Sequence, residues 1–212
     1  MHICPLCQQT KTLLYYKDKR RQYFQCSRCE LVFVPESQRL EREAEKAIYD
    51  KHENNPDDQG YRQFLSRVSS PLLDKLTPVC SGLDFGCGPG PTLSIMFEEA
   101  GHTMSLYDVF YYPDNKVLET KYDFITATEV IEHIYYPYDV WSQWLNLVKS
   151  GGWIGIMTKL VIDVEAFASW HYKGDPTHVC FYSRKTFQYL AERDKLQLEF
   201  IGNDVILLRK TQ

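Results

Sequence analysis

At 212 residues, with 44% hydrophobic and 25% charged residues, the chain has room for one α/β domain of usual size and a small appendage. A net charge of −4 and a pI of about 5.9 exclude a general electrostatic footprint for nucleic acid and leave only a local basic patch for that role. No apolar run is long enough to span a bilayer and no secretory h-region is present, so a cytoplasmic location is expected.

In chain order, the first motif is a pair of cysteine knuckles, Cys4-Pro5-Leu6-Cys7 and Cys26-Ser27-Arg28-Cys29. Between them, Leu13-Leu14-Tyr15-Tyr16 and Gln22-Tyr23-Phe24-Gln25 flank the polar Lys17-Asp18-Lys19-Arg20, the pattern of a β-hairpin, and Leu31-Val32-Phe33-Val34 reads as a third strand. Two knuckles joined by a hairpin place four thiolates tetrahedrally, so residues 1–36 read as a zinc ribbon with Cys4, Cys7, Cys26 and Cys29 on a structural Zn²⁺. A disulfide pair or a redox Cys-x-x-Cys are the rival readings. A module this small gains its folding energy largely from the metal, on the order of 10–16 kcal/mol. The ribbon either packs against the rest of the chain or offers Lys17, Lys19, Arg20 and Arg21 to RNA. Residues 37–78 follow as a linker, with helical patterns over 39–52 and 61–76 separated by Pro56-Asp57-Asp58-Gln59-Gly60.

The third segment, 79–212, opens on Gly82-Leu83-Asp84-Phe85-Gly86-Cys87-Gly88-Pro89-Gly90. A buried strand end, a glycine loop and a helix pattern (Leu93, Met96, Phe97, Ala100) make the first unit of an open parallel sheet, with a ligand expected beyond the strand's carboxyl end. The spacing Gly-x-Gly-x-Gly differs from the dinucleotide fingerprint, and Asp84 before it suits a cation better than a phosphate. The next apolar run ends in Asp108, at the separation of an acid that accepts ribose hydroxyls. Over residues 82–208 the sequence resembles the class I S-adenosylmethionine-dependent methyltransferases of small-molecule type. That resemblance implies a Rossmann-like, doubly wound, mostly parallel sheet of the seven-stranded type. Val109 to Tyr122 is too short for the usual helix and third strand, so one strand region is expected to be shortened, with Phe110-Tyr111-Tyr112-Pro113-Asp114 as an aromatic loop.

The resemblance assigns Asp84, Phe85, Gly86, Cys87, Gly88 and Gly90 to the methionine part of the cofactor, Asp108 to the ribose, and Val109, Phe110, Thr128, Glu129 and Val130 to the remainder. Helices before the first strand lie over the cofactor in such enzymes, which makes Tyr49, His52 and Tyr61 lid candidates. Thr128-Glu129-Val130-Ile131-Glu132-His133 resembles the Glu-Val-Leu-Glu-His element of the same group, and Glu129 and His133 share a face if that turn is helical. Pro137 opens a helix carrying Trp141 and Trp144 at core spacing, and Ser150-Gly151-Gly152 ends it before a strand at Trp153-Ile154-Gly155-Ile156-Met157-Thr158. No Asn-Pro-Pro-Tyr follows the fourth strand of this fold, which argues against methylation of DNA bases or protein glutamine. Asp175-Pro176-Thr177-His178 belongs to the loop between the strand at Trp153 to Thr158, the fifth of this fold, and the next helix. Either Asp175 orients His178, with His178 or His171 as proton acceptor, or both pin the loop; His133 is the third catalytic candidate. A terminal hairpin over 196–208 matches the antiparallel last strand of the fold.

The function these residues imply is methyl transfer from S-adenosylmethionine by in-line displacement, with S-adenosylhomocysteine as product. A small-molecule acceptor, oxygen before nitrogen or carbon, is expected. An RNA methyltransferase that grips its substrate with the ribbon is the alternative, and a non-catalytic adaptor the third.

Overall fold

The computed structural model describes residues 2–51 and 54–211 and arranges them around two sheets. Both cysteine knuckles fold alike. Gln8 N–H donates to the Cys4 carbonyl at 2.9 Å and Glu30 N–H to that of Cys26 at 3.1 Å. Gln8 and Glu30 take left-handed backbone, with φ of 57° and 56°, which turns each knuckle tightly. Strand β1 (Thr12–Lys17) pairs antiparallel with β2 (Gln22–Cys26) across a turn that Asp18 closes, its Oδ1 accepting from Arg20 N–H and Arg21 N–H at 2.7 and 2.8 Å. Strand β3 (Val32–Phe33) adds to β2.

The chain then runs through α1 (Arg42–Tyr49), shorter than the pattern predicts, and α2 (Gln59–Leu73), whose N-terminus Asp58 caps. Next come β4 (Ser81–Phe85), α3 (Thr92–Glu99), β5 (Thr103–Tyr107), β6 (Tyr122–Thr128), α4 (Pro137–Leu147) and β7 (Val148–Met157). The last part holds α5 (Val164–Ser169), β8 (Cys180–Phe181), α6 (Arg184–Asp194), β9 (Leu196–Ile201) and β10 (Val205–Lys210).

The large sheet has the order β5-β4-β6-β7-β10-β9. Its first four strands are parallel, and β10 runs antiparallel to both neighbours. The shortened region is a turn closed by reciprocal backbone bonds between Asp108 and Tyr112, each 3.0 Å, and a 3₁₀ turn over Asn115–Glu119. Strand β7 begins five residues ahead of the expected Trp153 and takes Gly151 and Gly152 into the strand. A Cβ on Gly152 would stand 2.6 Å from the Asp123 carbonyl, so β6 passes too close for any other residue there.

One face of the sheet is covered by α2 and α3, with Leu65, Val68, Leu72 and Phe97 fully buried. The other carries Trp141 and Trp144 of α4 and Phe187 and Leu190 of α6. Each such Leu or Phe contributes about 1.5–3 kcal/mol through burial. The segment before residue 36 has no core of its own. Leu6, Tyr23, Leu31 and Val34 pack in one continuous cluster with Phe167, Phe181 and Tyr182. The reason is topological: β3 pairs on its open side with β8, so the small sheet reads β1-β2-β3-β8. Among the described residues no helix is long and apolar enough to cross a membrane.

Candidate active site

The loops at the carboxyl ends of β4, β5, β6 and β7 open onto a cavity of about 1190 Å³. Its inner wall is the glycine loop. Gly86 sits at φ 75°, and a Cβ there would lie 2.5 Å from a Val130 methyl. A Cβ on Gly90 would lie 2.1 Å from the Asn54 carbonyl, so the bare backbone lets the segment before α2 close over the loop. Phe85 and Tyr107 form a tilted pair behind it, 4.9 Å between centroids, and Cys87 is buried in the loop with its thiol pushed up by burial.

Asp84 is 3% exposed, and its carboxylate accepts from Ser94 Oγ at 3.0 Å and Thr126 Oγ1 at 2.9 Å. Burial pushes its carboxyl up to about 6. Asp108 behaves differently from a group reserved for a ribose. Its Oδ2 accepts from Gly88 N–H at 3.0 Å, and Oδ1 from Phe110 N–H and Tyr111 N–H at 2.8 and 3.1 Å. Three of about four lone-pair sites are therefore spent locking the glycine loop to the turn after β5, and about one remains for a ligand hydroxyl.

Phe110 and exposed Val109 line the cavity, with the Arg42 guanidinium 5.3 Å above the Phe110 ring. Tyr49 packs against both Phe110 and His133, at 5.8 and 5.3 Å, and its hydroxyl donates to Glu45 Oε1 at 2.8 Å. Tyr61 is also at the wall, whereas His52 lies outside the described residues. Thr128 Oγ1, at the end of β6, is buried with no hydrogen-bond partner among the described residues. This orphaned hydroxyl, a side-chain-free cradle and a buried acid that a cation would relax together fit a ligand bearing a positive sulfonium and sugar hydroxyls.

Beyond Glu129 the cavity is floored by catalytic candidates. The expected helical face of Glu129 and His133 is not formed. Glu129 is left-handed at φ 53°, and only a single 3₁₀ turn, Ile131–His133, follows. Both residues still reach the cavity. His178 is 6% exposed, with Nδ1 2.7 Å from the Tyr172 carbonyl. Burial lowers its pKa, which keeps the ring neutral. Asp175 does not orient it directly. Its Oδ1 accepts from Thr177 N–H and Oγ1 at 2.9 and 2.6 Å, while Oδ2 stands 4.0 Å from His178 Nε2. Asp175 thus pins the loop. His171 is exposed at the rim, its Nε2 3.1 Å from Lys159 Nζ.

Three features had no advance signal as site residues. Glu132 is fully buried beneath the floor, accepting from Thr158 Oγ1 at 3.0 Å and from the Tyr172 hydroxyl. Tyr172 and Lys159 line the wall, the ammonium 5.3 Å above the Tyr172 ring. Arg21, which one of the two readings of the ribbon offered to RNA, is 9% exposed; its guanidinium donates to the carbonyls of Asp175, Pro176 and His178 at 2.9, 3.2 and 2.8 Å, and to that of Lys173. One residue of the ribbon hairpin holds the whole loop that carries His178.

At the ribbon, Cys4, Cys7, Cys26 and Cys29 are free thiols whose sulfurs lie within 4.8 Å of one another. The pairs Cys4–Cys29 and Cys7–Cys26 are 3.6 and 3.4 Å apart. A tetrahedral ion with Zn–S bonds of about 2.3 Å sets its ligands about 3.8 Å apart, so the donor set fits a closed zinc site with little movement.

Compared with solved structures, the chain superposes at a TM-score of 0.57 and 15% identity on the 1,6-didemethyltoxoflavin-N1-methyltransferase of Burkholderia thailandensis with bound 1,6-didemethyltoxoflavin and S-adenosylhomocysteine, covering 94% of this chain and 99% of that one. It superposes at 0.51 and 14% identity on the magnesium protoporphyrin IX methyltransferase of Synechocystis PCC 6803 with bound S-adenosylhomocysteine, covering 78% and 92%. A search of curated sequences gives no significant match. The profile of a methyltransferase domain matches residues 49–199, which span α2, the glycine loop and every strand around the cavity through most of β9, and the chain therefore belongs to that methyltransferase family as an S-adenosylmethionine-dependent enzyme.

Proposed function

We propose that the enzyme methylates a small molecule at oxygen, with the acceptor seated between the glycine loop and the Glu129–His133–His178 floor. The observation that carries this reading is the cavity. At about 1190 Å³ it exceeds the roughly 300–1,000 Å³ of a one-ligand pocket, and it runs without interruption from Gly86 and Asp108 to His133 and His178. Room for a second ligand therefore adjoins the cofactor cradle.

S-adenosylmethionine, when bound, supplies an activated methyl group and leaves as S-adenosylhomocysteine. Asp84, Gly86, Gly88 and Gly90 hold its amino-acid part, Asp108 and Phe110 its nucleoside, and Thr128 donates or accepts with its orphaned hydroxyl. Asn54, Tyr49 and Tyr61 cover the loop and keep water out. Tyr172, His133 and His178 hold the acceptor, and neutral imidazole at the floor can take a proton from its hydroxyl. The buried position of Arg21 removes one cation from the basic patch on which RNA recognition would rest.

The test is transfer of labelled methyl into a soluble extract, separated into small-molecule, RNA and protein fractions. Label in the small-molecule fraction that hot hydriodic acid releases as methyl iodide is expected, as for a methyl ether. Label confined to RNA or protein would overturn the acceptor class.

A further inference from the structure

Glu132, His133 and His178 are arranged with more care than acceptor contact demands. One ring nitrogen of each histidine and one Glu132 carboxylate oxygen all lie within 4.8 Å of one another. The two rings are 4.6 Å apart and inclined at 67°. Each ring is oriented from behind: Nδ1 of His133 is 3.3 Å from the Thr177 carbonyl and Nδ1 of His178 is 2.7 Å from that of Tyr172. An imidazole that donates Nδ1–H to a carbonyl presents the Nε2 lone pair, and this backing fixes ring and tautomer in metal-ligating histidines. Glu132 has the same kind of support, from Thr158 Oγ1 and the Tyr172 hydroxyl, and it is fully buried without a lysine or arginine among its hydrogen-bond partners. Burial holds such a carboxyl in its neutral form, and a divalent cation beside it would draw it to the ionised one.

A second acid stands beside the group. Glu129 Oε2 is 3.4 Å from the Tyr172 hydroxyl that also serves Glu132. The Lys159 ammonium, whose charge reaches Glu129, also meets His171 Nε2 at 3.1 Å and the face of Tyr172. His133, His178, Tyr172 and Glu129 line the cavity whereas Glu132 lies beneath it, so an ion held here would have protein on one side and the acceptor space on the other.

We propose that Glu132, His133 and His178 bind a divalent cation at the floor of the cavity, and that this ion takes the acceptor by its hydroxyl oxygen. The proposal rests on the acceptor reading above. Two imidazoles and one carboxylate with open positions suit a first-row ion such as Mn²⁺, Fe²⁺ or Zn²⁺ better than Mg²⁺ or Ca²⁺. With both imidazoles on the ion, neither serves as the base; the ion lowers the pKa of the hydroxyl it binds, so that the proton passes to water. The oxygen lone pair then forms the O–CH₃ bond as the S–CH₃ bond breaks. Its electron pair returns to sulfur, giving a neutral thioether.

The test uses protein carrying zinc in its ribbon and freed of other metal, titrated with Mn²⁺, which prefers oxygen and nitrogen donors to the four thiolates. Loss of the free-ion electron paramagnetic resonance signal should show one tightly held Mn²⁺ per chain, and the bound spectrum should carry nitrogen hyperfine coupling from imidazole. His133→Gln and His178→Gln should each weaken Mn²⁺ binding tenfold or more while binding of S-adenosylhomocysteine, followed separately by calorimetry, shows the variants folded. No Mn²⁺ held by the parent protein at millimolar ion, bound Mn²⁺ without nitrogen coupling, or equal affinity in the folded variants would each overturn the site. These readouts need no methyl transfer, so a failed metal site is distinguishable from a failed acceptor assignment.

Discussion

Replacing Arg21 by Met keeps the aliphatic stem and removes only the guanidinium, which isolates what the ribbon does for the loop after residue 172. Four carbonyls, those of Lys173, Asp175, Pro176 and His178, lose a charged donor. A hydrogen bond to a charged group is worth about 1.5–3 kcal/mol. Simple addition overstates the loss, because the Lys173, Asp175 and Pro176 bonds are only partly buried and water replaces the donor there. The His178 bond is buried and keeps its full value. The expected cost is about 3 kcal/mol, one full bond and fractions of three others, a large share of the roughly 5–15 kcal/mol that holds a domain together. Urea unfolding should show a lower midpoint at unchanged slope, and amide exchange should accelerate at residues 173–178 first. Because the same loop carries His178, acceptor KM should rise while S-adenosylhomocysteine affinity stays near that of the parent. Arg21→Lys, a point charge with three donors, should recover only part of the stability. A loss below about 1 kcal/mol with unchanged exchange at 173–178 would refute the argument.

Asp108→Ala should weaken S-adenosylhomocysteine binding by about 1.5–3 kcal/mol, since both a ligand contact and the lock on Gly88 N–H are lost; equal affinity by calorimetry would take Asp108 out of the cofactor site. Asp84 provides a pH test in the ligand-free protein. Its folded pKa of about 6 lies above the ordinary 3.8, so its contribution to stability is complete below about pH 4 and is lost as pH rises through 6. The stability of Asp84→Asn relative to the parent should therefore improve by about 3 kcal/mol between pH 4 and 7, and parallel pH curves would contradict the buried assignment. Metal analysis should find zinc at one ion per chain in the ribbon, and stripping it with a chelator should lower the melting temperature; an unchanged melting curve after complete removal would show that the thiols hold the fold without it.

What was legible in the sequence was local chemistry. The two knuckles, the hairpin, the glycine loop and the shortened crossing after Asp108 are each written within a few consecutive residues, and spacing alone limits what they can become. What was hidden was long-range. Nothing near Val32 announces that it will pair with Phe181, and nothing near Arg21 shows that its partners are four carbonyls far along the chain. A basic residue at a hairpin turn looks solvated until the loop it serves is placed beside it. Glu132 was overlooked for a related reason: helical spacing pairs Glu129 with His133, but Glu129 at φ 53° breaks that face and sends Glu132 under the floor instead. Asp108 was placed correctly at the strand end, and the three backbone N–H groups it accepts were not visible because two come from the turn it closes upon itself.

The pairing of β3 with β8 also sets an order of assembly. During synthesis the four cysteines are available to a metal once residue 29 has emerged, yet β3 has no second neighbour until residue 181 follows. For all the time between, Val32 and Phe33 form an open apolar edge of the kind that recruits other chains. Closing it requires a loop from Val32 to Phe181, a contact of high sequence separation that forms late and slowly. The ribbon can thus hold its ion long before its sheet is finished. A nascent chain stalled before β8 would carry metal but no completed small sheet.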